Sequence, residues 1–306
     1  MSTTTPSPAG GADTAPEAAR IHNIGYRNYS GRRLGRAYVR RSLYVQSLRG
    51  AFGLGRSAKS KVMPMLLFAV MCVPALIMVA VAVTIKSDEL PLEYTQYAGA
   101  LSMVIALFLA AQAPQTVSRD LRFRTVPLYF SRPIERVDYV VAKYGAMASA
   151  MFLLTALPLV VLYIGALLAK MDFLDQSKEF GQGLVSVAVL SVLYAGIGLV
   201  LAATTPRRGF GVAAIIGMLV ISFGAVTSVQ AIAEANGSGH VVKWIGLFSP
   251  FSLIDGFQTA FLGAGSGFPG GEGPGAAVGV VYLLVVLALI AGSYAALMRR
   301  YAKAGL

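Results

Sequence analysis

The sequence predicts an all-α integral membrane protein with six transmembrane helices and both termini in the cytoplasm. Three observations carry that expectation. Hydrophobic residues make up 56% of the 306-residue chain and charged residues only 13%, about half the charged share of an ordinary soluble domain, and mean hydropathy is +0.66. Six runs, 62–85, 97–117, 139–168, 184–205, 210–233 and 276–298, are long, apolar and almost free of charge, as a hydrocarbon core of about 30 Å requires of a helix. Of the 26 Lys and Arg residues, 22 lie in the N-terminal segment, in 119–143, at Arg207 and Arg208, or at Arg299, Arg300 and Lys303. The other connections hold only Lys86, Lys170, Lys178 and Lys243, with nine of the fourteen acids, so positive charge alternates from loop to loop as a cytoplasmic bias requires.

Residues 1–19 are small, polar and rich in Pro, Ala and Thr, with no apolar stretch; that composition reads as a disordered tail. Residues 20–61 form a basic cytoplasmic segment with eleven Lys/Arg and no acid. Leu34, Tyr38, Val45, Leu48 and Phe52 fall on one face of a helix there, with Arg36, Arg40 and Ser47 opposite and Leu43 off the stripe. A basic amphipathic helix ahead of a membrane span is expected to lie among the lipid headgroups. Within it, Gly53–Ser60 comes within one residue of a phosphate-binding G-x-x-x-x-G-K-[ST] loop, Ala58 replacing the second glycine. The motif requires a preceding strand in an α/β domain, and a basic helix precedes it here, so no nucleotide site is expected.

Residues 62–306 carry the six spans. Pro74, Pro114 and Pro158 are expected to kink the first three, and Ala195, Gly196, Gly198, Gly275 and Gly279 suit close helix packing. The run Trp244–Leu262 has the length of a seventh span, but Pro250, Asp255 and Gly256 interrupt it and a seventh crossing would invert the C-terminal charges. A re-entrant extracellular hairpin over 244–262 keeps the topology. The glycine-rich stretch after it reads as a connector.

Several chemistries lack their parts. Cys72 is the single cysteine and His22 and His240 the two histidines, so no intrachain disulfide, thiolate metal site or nucleophile–base pair can be assembled. The net charge of +12 follows the membrane topology rather than a patch suited to nucleic acid. No ionisable residue lies near a span centre, which leaves an ion-coupled pathway without carriers. The polar residues placed inside the membrane include Gln112, Gln115, Thr227 and Gln230, which suit interhelical hydrogen bonds or a substrate path.

The connection from Ser118 to Lys143 is the most specific stretch. It starts with Arg119 and Asp120, continues through Thr125-Val126-Pro127-Leu128-Tyr129 and Ser131-Arg132-Pro133, and ends with Glu135, Arg136, Tyr139 and Lys143. This order resembles permeases of the ABC-2 class of ABC exporters, also called type V. The resemblance extends to the amphipathic helix, the six-span topology and the apolar region between spans five and six. It implies a cytoplasmic coupling helix between spans two and three that docks on a separate ATP-binding subunit, with Arg119, Asp120, Arg122, Arg132, Glu135 and Arg136 as the coupling set. A common family form has a glutamate and a Thr-Leu-Glu-like stretch where this chain has Arg122, Phe123 and Thr125-Val126-Pro127, which leaves open which residue makes the main contact.

The resemblance further implies a bacterial cell membrane, two ATP-binding subunits that hold ATP and Mg, and a second permease copy or a related permease beside membrane lipids. This chain itself would bind no cofactor or metal and catalyse no reaction. An uncharged lining around Gln112, Gln115, Thr227 and Gln230 would favour an apolar or amphipathic cargo. Two rival readings remain: a non-transporting anchor or assembly protein that recruits a cytoplasmic partner, and a membrane-embedded transferase or hydrolase.

Overall fold

In the computed structural model, residues 31, 34–55, 57–87, 89–123, 129, 134–205 and 208–304 are described, and every regular element among them is helical. Two long helices form the centre. Helix α6, Arg136–Leu168, and α7, Phe173–Thr204, are joined by four residues and pack along each other. Asp172 caps α7 by accepting hydrogen bonds from the Leu174 and Asp175 backbone N–H groups at 2.9 and 3.0 Å, satisfying donors that the first turn would leave open. Half of the most apolar window of α6 and 61% of that of α7 is buried inside the protein.

Three more long helices surround this pair: α2, Ala58–Ile85, the segment Gly209–Ala235, and α12, Ala276–Ala304. Only 22%, 17% and 17% of their apolar windows are buried by protein. Val62, Leu66, Leu76, Ile77, Ile221, Ile232 and Leu284 are instead exposed outward, an arrangement that costs free energy in water and none in lipid. Five helices are therefore long and apolar enough to cross a membrane, and the chain is a multi-pass membrane protein by that measure.

The predicted span 97–117 is not one straight helix. It is built from α3, Tyr94–Ala100, and α4, Ser102–Thr116, continued by the five-residue α5, Ser118–Arg122, with a bend of 63° at the break. Leu101 leaves the helical region at φ −111° and ψ 23°. Before the bend, Tyr94 donates to Gln176 Oε1 at 2.7 Å and Tyr97 to the Met71 carbonyl at 2.6 Å. Gly99 faces the Phe251 ring at a distance that leaves no room for a larger residue. These contacts direct α3 toward α7 and Phe251 while α4 follows the bundle.

Other boundaries move for a simple reason: hydropathy marks the apolar part of a helix, whereas backbone hydrogen bonding continues through its polar ends. Helix α7 begins eleven residues before the predicted 184, and at 1.5 Å per residue its 32 residues span about 48 Å, well beyond the hydrocarbon core. The segment Gly209–Ala235 contains α8, Arg208–Ile216, a π-helical turn Gly217–Ile221 and α9, Ser222–Ala235. Region 244–262 contains the end of α10, Gly239–Ile245, a 3₁₀ turn Gly246–Phe248 and α11, Pro250–Leu262. At 13 residues, α11 is too short to cross alone.

Helix contacts are close where small residues allow it. A Cβ at Gly196 would strike Tyr144 and Ser293, one at Gly198 would strike Leu109, and one at Gly279 would strike Ala260; Gly275 has nothing within 4 Å of that position. Gln258, on the buried side of α11, accepts from Ser186 Oγ at 2.7 Å and donates to Asp255 Oδ1 at 3.0 Å. The Gly267 N–H donates to Asp255 Oδ2 at 3.1 Å, fastening the glycine-rich connector to α11.

Burial pushes the Asp255 carboxyl up to about 6, partly opposed by the Gln258 and Gly267 hydrogen bonds. The unfolded carboxyl releases its proton near pH 4, so between about 4 and 6 the native state holds more protons than the unfolded state and stability falls as pH rises. Asp255→Asn keeps an acceptor for Gly267 and removes this charge cost. It is expected to raise stability at neutral pH by on the order of 2 kcal/mol and to flatten the pH dependence of thermal melting between 4 and 6. A variant that melts below the parent at pH 7.5 would contradict this account.

Candidate functional site

Of the residues predicted to couple the membrane domain to a partner, the described ones, Asp120, Arg122, Glu135 and Arg136, lie on α5 and at the N-terminus of α6, near which the C-terminal turns of α12 and the basic helix α1, Arg36–Ala51, also pack. Helix α1 has no acid in its first turn and four arginines along its length. Two of them are consumed by the bundle. Arg36 forms ion pairs with both Glu135 and Asp138, and Arg40 Nη1 lies 3.7 Å from Asp138 Oδ1. Asp138 is 2% exposed and also accepts the Glu135 backbone N–H at 3.3 Å, so one carboxylate closes the first turn of α6 and holds α1 against it. The two carboxylates hold the Arg36 guanidinium above its ordinary range, opposed by partial desolvation.

This docking turns α1 differently from the simplest amphipathic reading. Leu43, Ser47 and Ala51 face the bundle and are buried, as is Phe52 just after the helix. Leu34, Tyr38 and Val45 are exposed, and Leu48 is half-buried. The helix thus carries two apolar faces, one against protein and one outward, and Leu43, off the predicted stripe, belongs to the inner one. The chain then turns sharply at 52–55 before α2. Gly53 has φ +68°, and a Cβ there would collide with the Ser60 carbonyl, so the P-loop-like stretch is a helix-to-helix turn rather than a phosphate cradle.

A second ion pair lies deeper. Lys143 Nζ is 3.0 Å from Asp120 Oδ2 and donates to the Thr116 carbonyl at 2.9 Å. Asp120 Oδ2 also accepts from the Tyr139 hydroxyl at 2.6 Å. The Tyr139 ring lies 4.8 Å from Tyr301 of α12 and 5.5 Å from Tyr129. Ser118 Oγ donates to the Ala202 carbonyl at 2.7 Å, and Arg300 Nε to the Ala203 carbonyl at 3.0 Å. The last turns of α4, α7 and α12 and the first turns of α6 are therefore bound to one another, α6 and α7 through α5, α4 to α6 through Lys143, and α12 directly through Arg300 and Tyr301. A polar cavity of about 380 Å³ opens between α1 and this network, lined by Ser47, Gln115, Asp120, Tyr129 and Lys143 among others. The Ser47 hydroxyl faces it with no hydrogen-bond partner among the described residues.

The predicted coupling set divides accordingly. Asp120 and Glu135 are engaged within the chain, whereas Arg122 and Arg136 are exposed, Arg122 lying over the Phe123 ring at 5.8 Å. Arg119 sits on α5, but its side chain lies outside the described residues, as do Arg132 and the Ser-Arg-Pro motif. Sequence reasoning did not single out Asp138. Its signal was available as an acid at the third position of a helix beginning at Arg136, three residues after Glu135.

The four residues placed on a substrate path do not converge. Gln115 lines the 380 Å³ cavity, and Gln112 is buried in α4. Thr227 returns its hydroxyl to the Phe223 carbonyl of its own helix at 2.8 Å, and Gln230 donates to the Val242 carbonyl at 2.9 Å, tying α9 to α10. The Gln230 bond joins two helices, as interhelical polar residues do, whereas Thr227, like Gln115 Nε2 to the Ala111 carbonyl at 3.0 Å, bonds within its own helix. Among the described residues, no group of three or more His, Cys, Asp or Glu side chains is arranged to hold a metal ion. No protein-family model matches the chain, and no curated protein matches it.

Proposed function

We propose that this chain is the permease subunit of an ATP-driven exporter of the ABC-2 class, working with a separate ATP-binding subunit. The observation that supports this reading best is the junction at α1, α5 and α6. It binds the ends of four helices together beside exposed arginines, so a push on α5 or α1 would be transmitted to the helices as a unit. In this reading the bent α3–α4 segment serves as the sixth crossing, both termini are cytoplasmic, and the α10–α11 hairpin is re-entrant from the outside. ATP and Mg belong to the partner, and the cargo is apolar or amphipathic.

The division of the coupling set sharpens the proposal. Asp120 and Glu135 position the segment, while Arg122 and Arg136, exposed and without an ion pair among the described residues, would meet an acidic surface on the ATPase. Reversing both, Arg122→Glu with Arg136→Glu, is expected to lower permease-stimulated ATP hydrolysis by about tenfold while the detergent-extracted chain keeps its melting temperature. Stimulation equal to the parent's would count against these two contacts.

The dispersed path residues favour one rival, a membrane anchor that recruits a cytoplasmic partner without moving cargo. The exporter reading answers by placing the path between two permease copies rather than within one. Gln112→Ala and Gln115→Ala separate them: altered export with an intact complex supports a transporter, and altered assembly without any export activity supports an anchor.

A further inference from the structure

Helix α1 spends only half of its positive charge on the protein. Arg36 and Arg40 are paired with Glu135 and Asp138, whereas Arg41 and Arg49 are exposed and have no ion pair among the described residues. Both line one groove of about 520 Å³ on the face of α1 turned away from α6, with Tyr38, Val45, Gln46 and Leu54 completing it. The two arginines are eight residues apart, about 12 Å along the helix, and Val45 lies midway between them. Their long side chains can close over a single group seated on the groove.

We infer that this groove is a binding site for an anionic glycerophospholipid, with its phosphate held by Arg41 and Arg49. Three features select this occupant. Two guanidiniums without an ion pair among the described residues provide the forked donors that phosphate oxygens accept. Tyr38, Val45 and Leu54 are 55%, 39% and 43% exposed, so an apolar floor lies beside the charges, suiting the glycerol backbone and upper acyl chains better than a free anion. The groove ends at the 52–55 turn, three residues before α2 begins at Ala58; after Lys59 and Lys61 its apolar run starts at Val62, with Val62, Met63 and Leu66 facing outward. A lipid whose phosphate sits on α1 therefore has a surface for its chains along the start of α2. The bound lipid would fix the outward face of α1 while the Arg36 clamp fixes the inward face.

The inference rests on reading α1 as an interfacial helix of a membrane protein and needs no ATPase, so the test omits one. The full chain, purified in mild detergent and stripped of lipid, is titrated with dioleoyl phosphatidylglycerol or dioleoyl phosphatidylcholine, and bound lipid is counted by native mass spectrometry. One phosphatidylglycerol is expected to bind with about tenfold preference over phosphatidylcholine, because the choline ammonium is repelled by the same charges. Arg41→Gln with Arg49→Gln should abolish the preference, and Arg41→Lys with Arg49→Lys should keep part of it, which separates charge loss from misfolding. Lys59→Gln with Lys61→Gln removes equal charge nearby and should leave the preference intact. An unchanged preference in the arginine-to-glutamine variant would overturn the site. So would an equal loss in the lysine variant, or displacement of the lipid by millimolar inorganic phosphate, which would mark a free-anion site. Any of these results leaves the coupling proposal standing, and loss of ATPase coupling leaves the lipid site standing.

Discussion

Replacing Lys143 by Met is expected to lower the stability of the membrane domain by about 3 kcal/mol, since removing one partner of a buried ion pair leaves an uncompensated charge. The ammonium is 3.0 Å from Asp120, and the two side chains are 11% and 18% exposed. Methionine fills most of the lysine volume, so the loss is electrostatic rather than a cavity. The Thr116 carbonyl loses its donor at the same time. Because Asp120 also receives the Tyr139 hydroxyl, and the Tyr139 ring meets that of Tyr301 at a tilt, the damage should spread to the C-terminal turns of α12. Adding Asp120→Asn to Lys143→Met removes the orphaned charge and should restore at least half of the lost melting temperature. If the single variant melts like the parent, the pair does not hold the junction. A double variant worse than the single would assign the effect to packing.

Gly256→Val is expected to cost roughly 3 kcal/mol, at the upper end of core overpacking. The reason lies in Tyr282 of α12, which is fully buried between two glycines. A Cβ at Gly256 would overlap its ring, and one at Gly246 would overlap its hydroxyl. That hydroxyl donates to the Lys243 carbonyl at 2.6 Å, and the ring meets Phe268 at 6.3 Å, so one side chain joins α10, α11, α12 and the glycine-rich connector. Flexible side chains could shift to admit a branched residue; a ring enclosed on these sides cannot. Protease should then cut within 263–275, and adding Tyr282→Ala to Gly256→Val should recover part of the melting temperature by vacating the space. A Gly256→Val protein with parental melting and protease resistance would show that the hairpin is looser than these contacts imply.

How far these features were legible in the sequence depends on the force that makes them. Apolar runs located five long helices because lipid solvation acts on each segment independently. The 63° bend in α3–α4 was not legible, since it arises from Tyr94, Tyr97 and Gly99 meeting residues far away in the chain. Helical periodicity identified α1 as amphipathic but could not choose which face meets protein, because Leu43 and Val45 are equally apolar and only the pairing of Arg36 with Asp138 decides. The resemblance of the 118–143 order to ABC-2 permeases brought Asp120 and Glu135 into the candidate set, and the structure gives each an internal partner. Asp138 was passed over because its importance comes from a helix start at Arg136 and an arginine 102 positions earlier. The polar residues inside the spans were visible, but whether Gln230 faces cargo or a neighbouring carbonyl is a property of packing alone.

The central claim is that this chain transmits force from a separate ATPase through the α1–α5–α6 junction. It is tested most directly by purifying the tagged chain from its native membrane in mild detergent, identifying stoichiometric partners, and measuring ATP hydrolysis by the isolated complex before and after Arg122→Glu with Arg136→Glu. The account predicts a partner with a Walker-type nucleotide site, present in two copies, whose hydrolysis falls on charge reversal while the melting temperature of the chain is unchanged. A chain that purifies with no nucleotide-binding partner would contradict it.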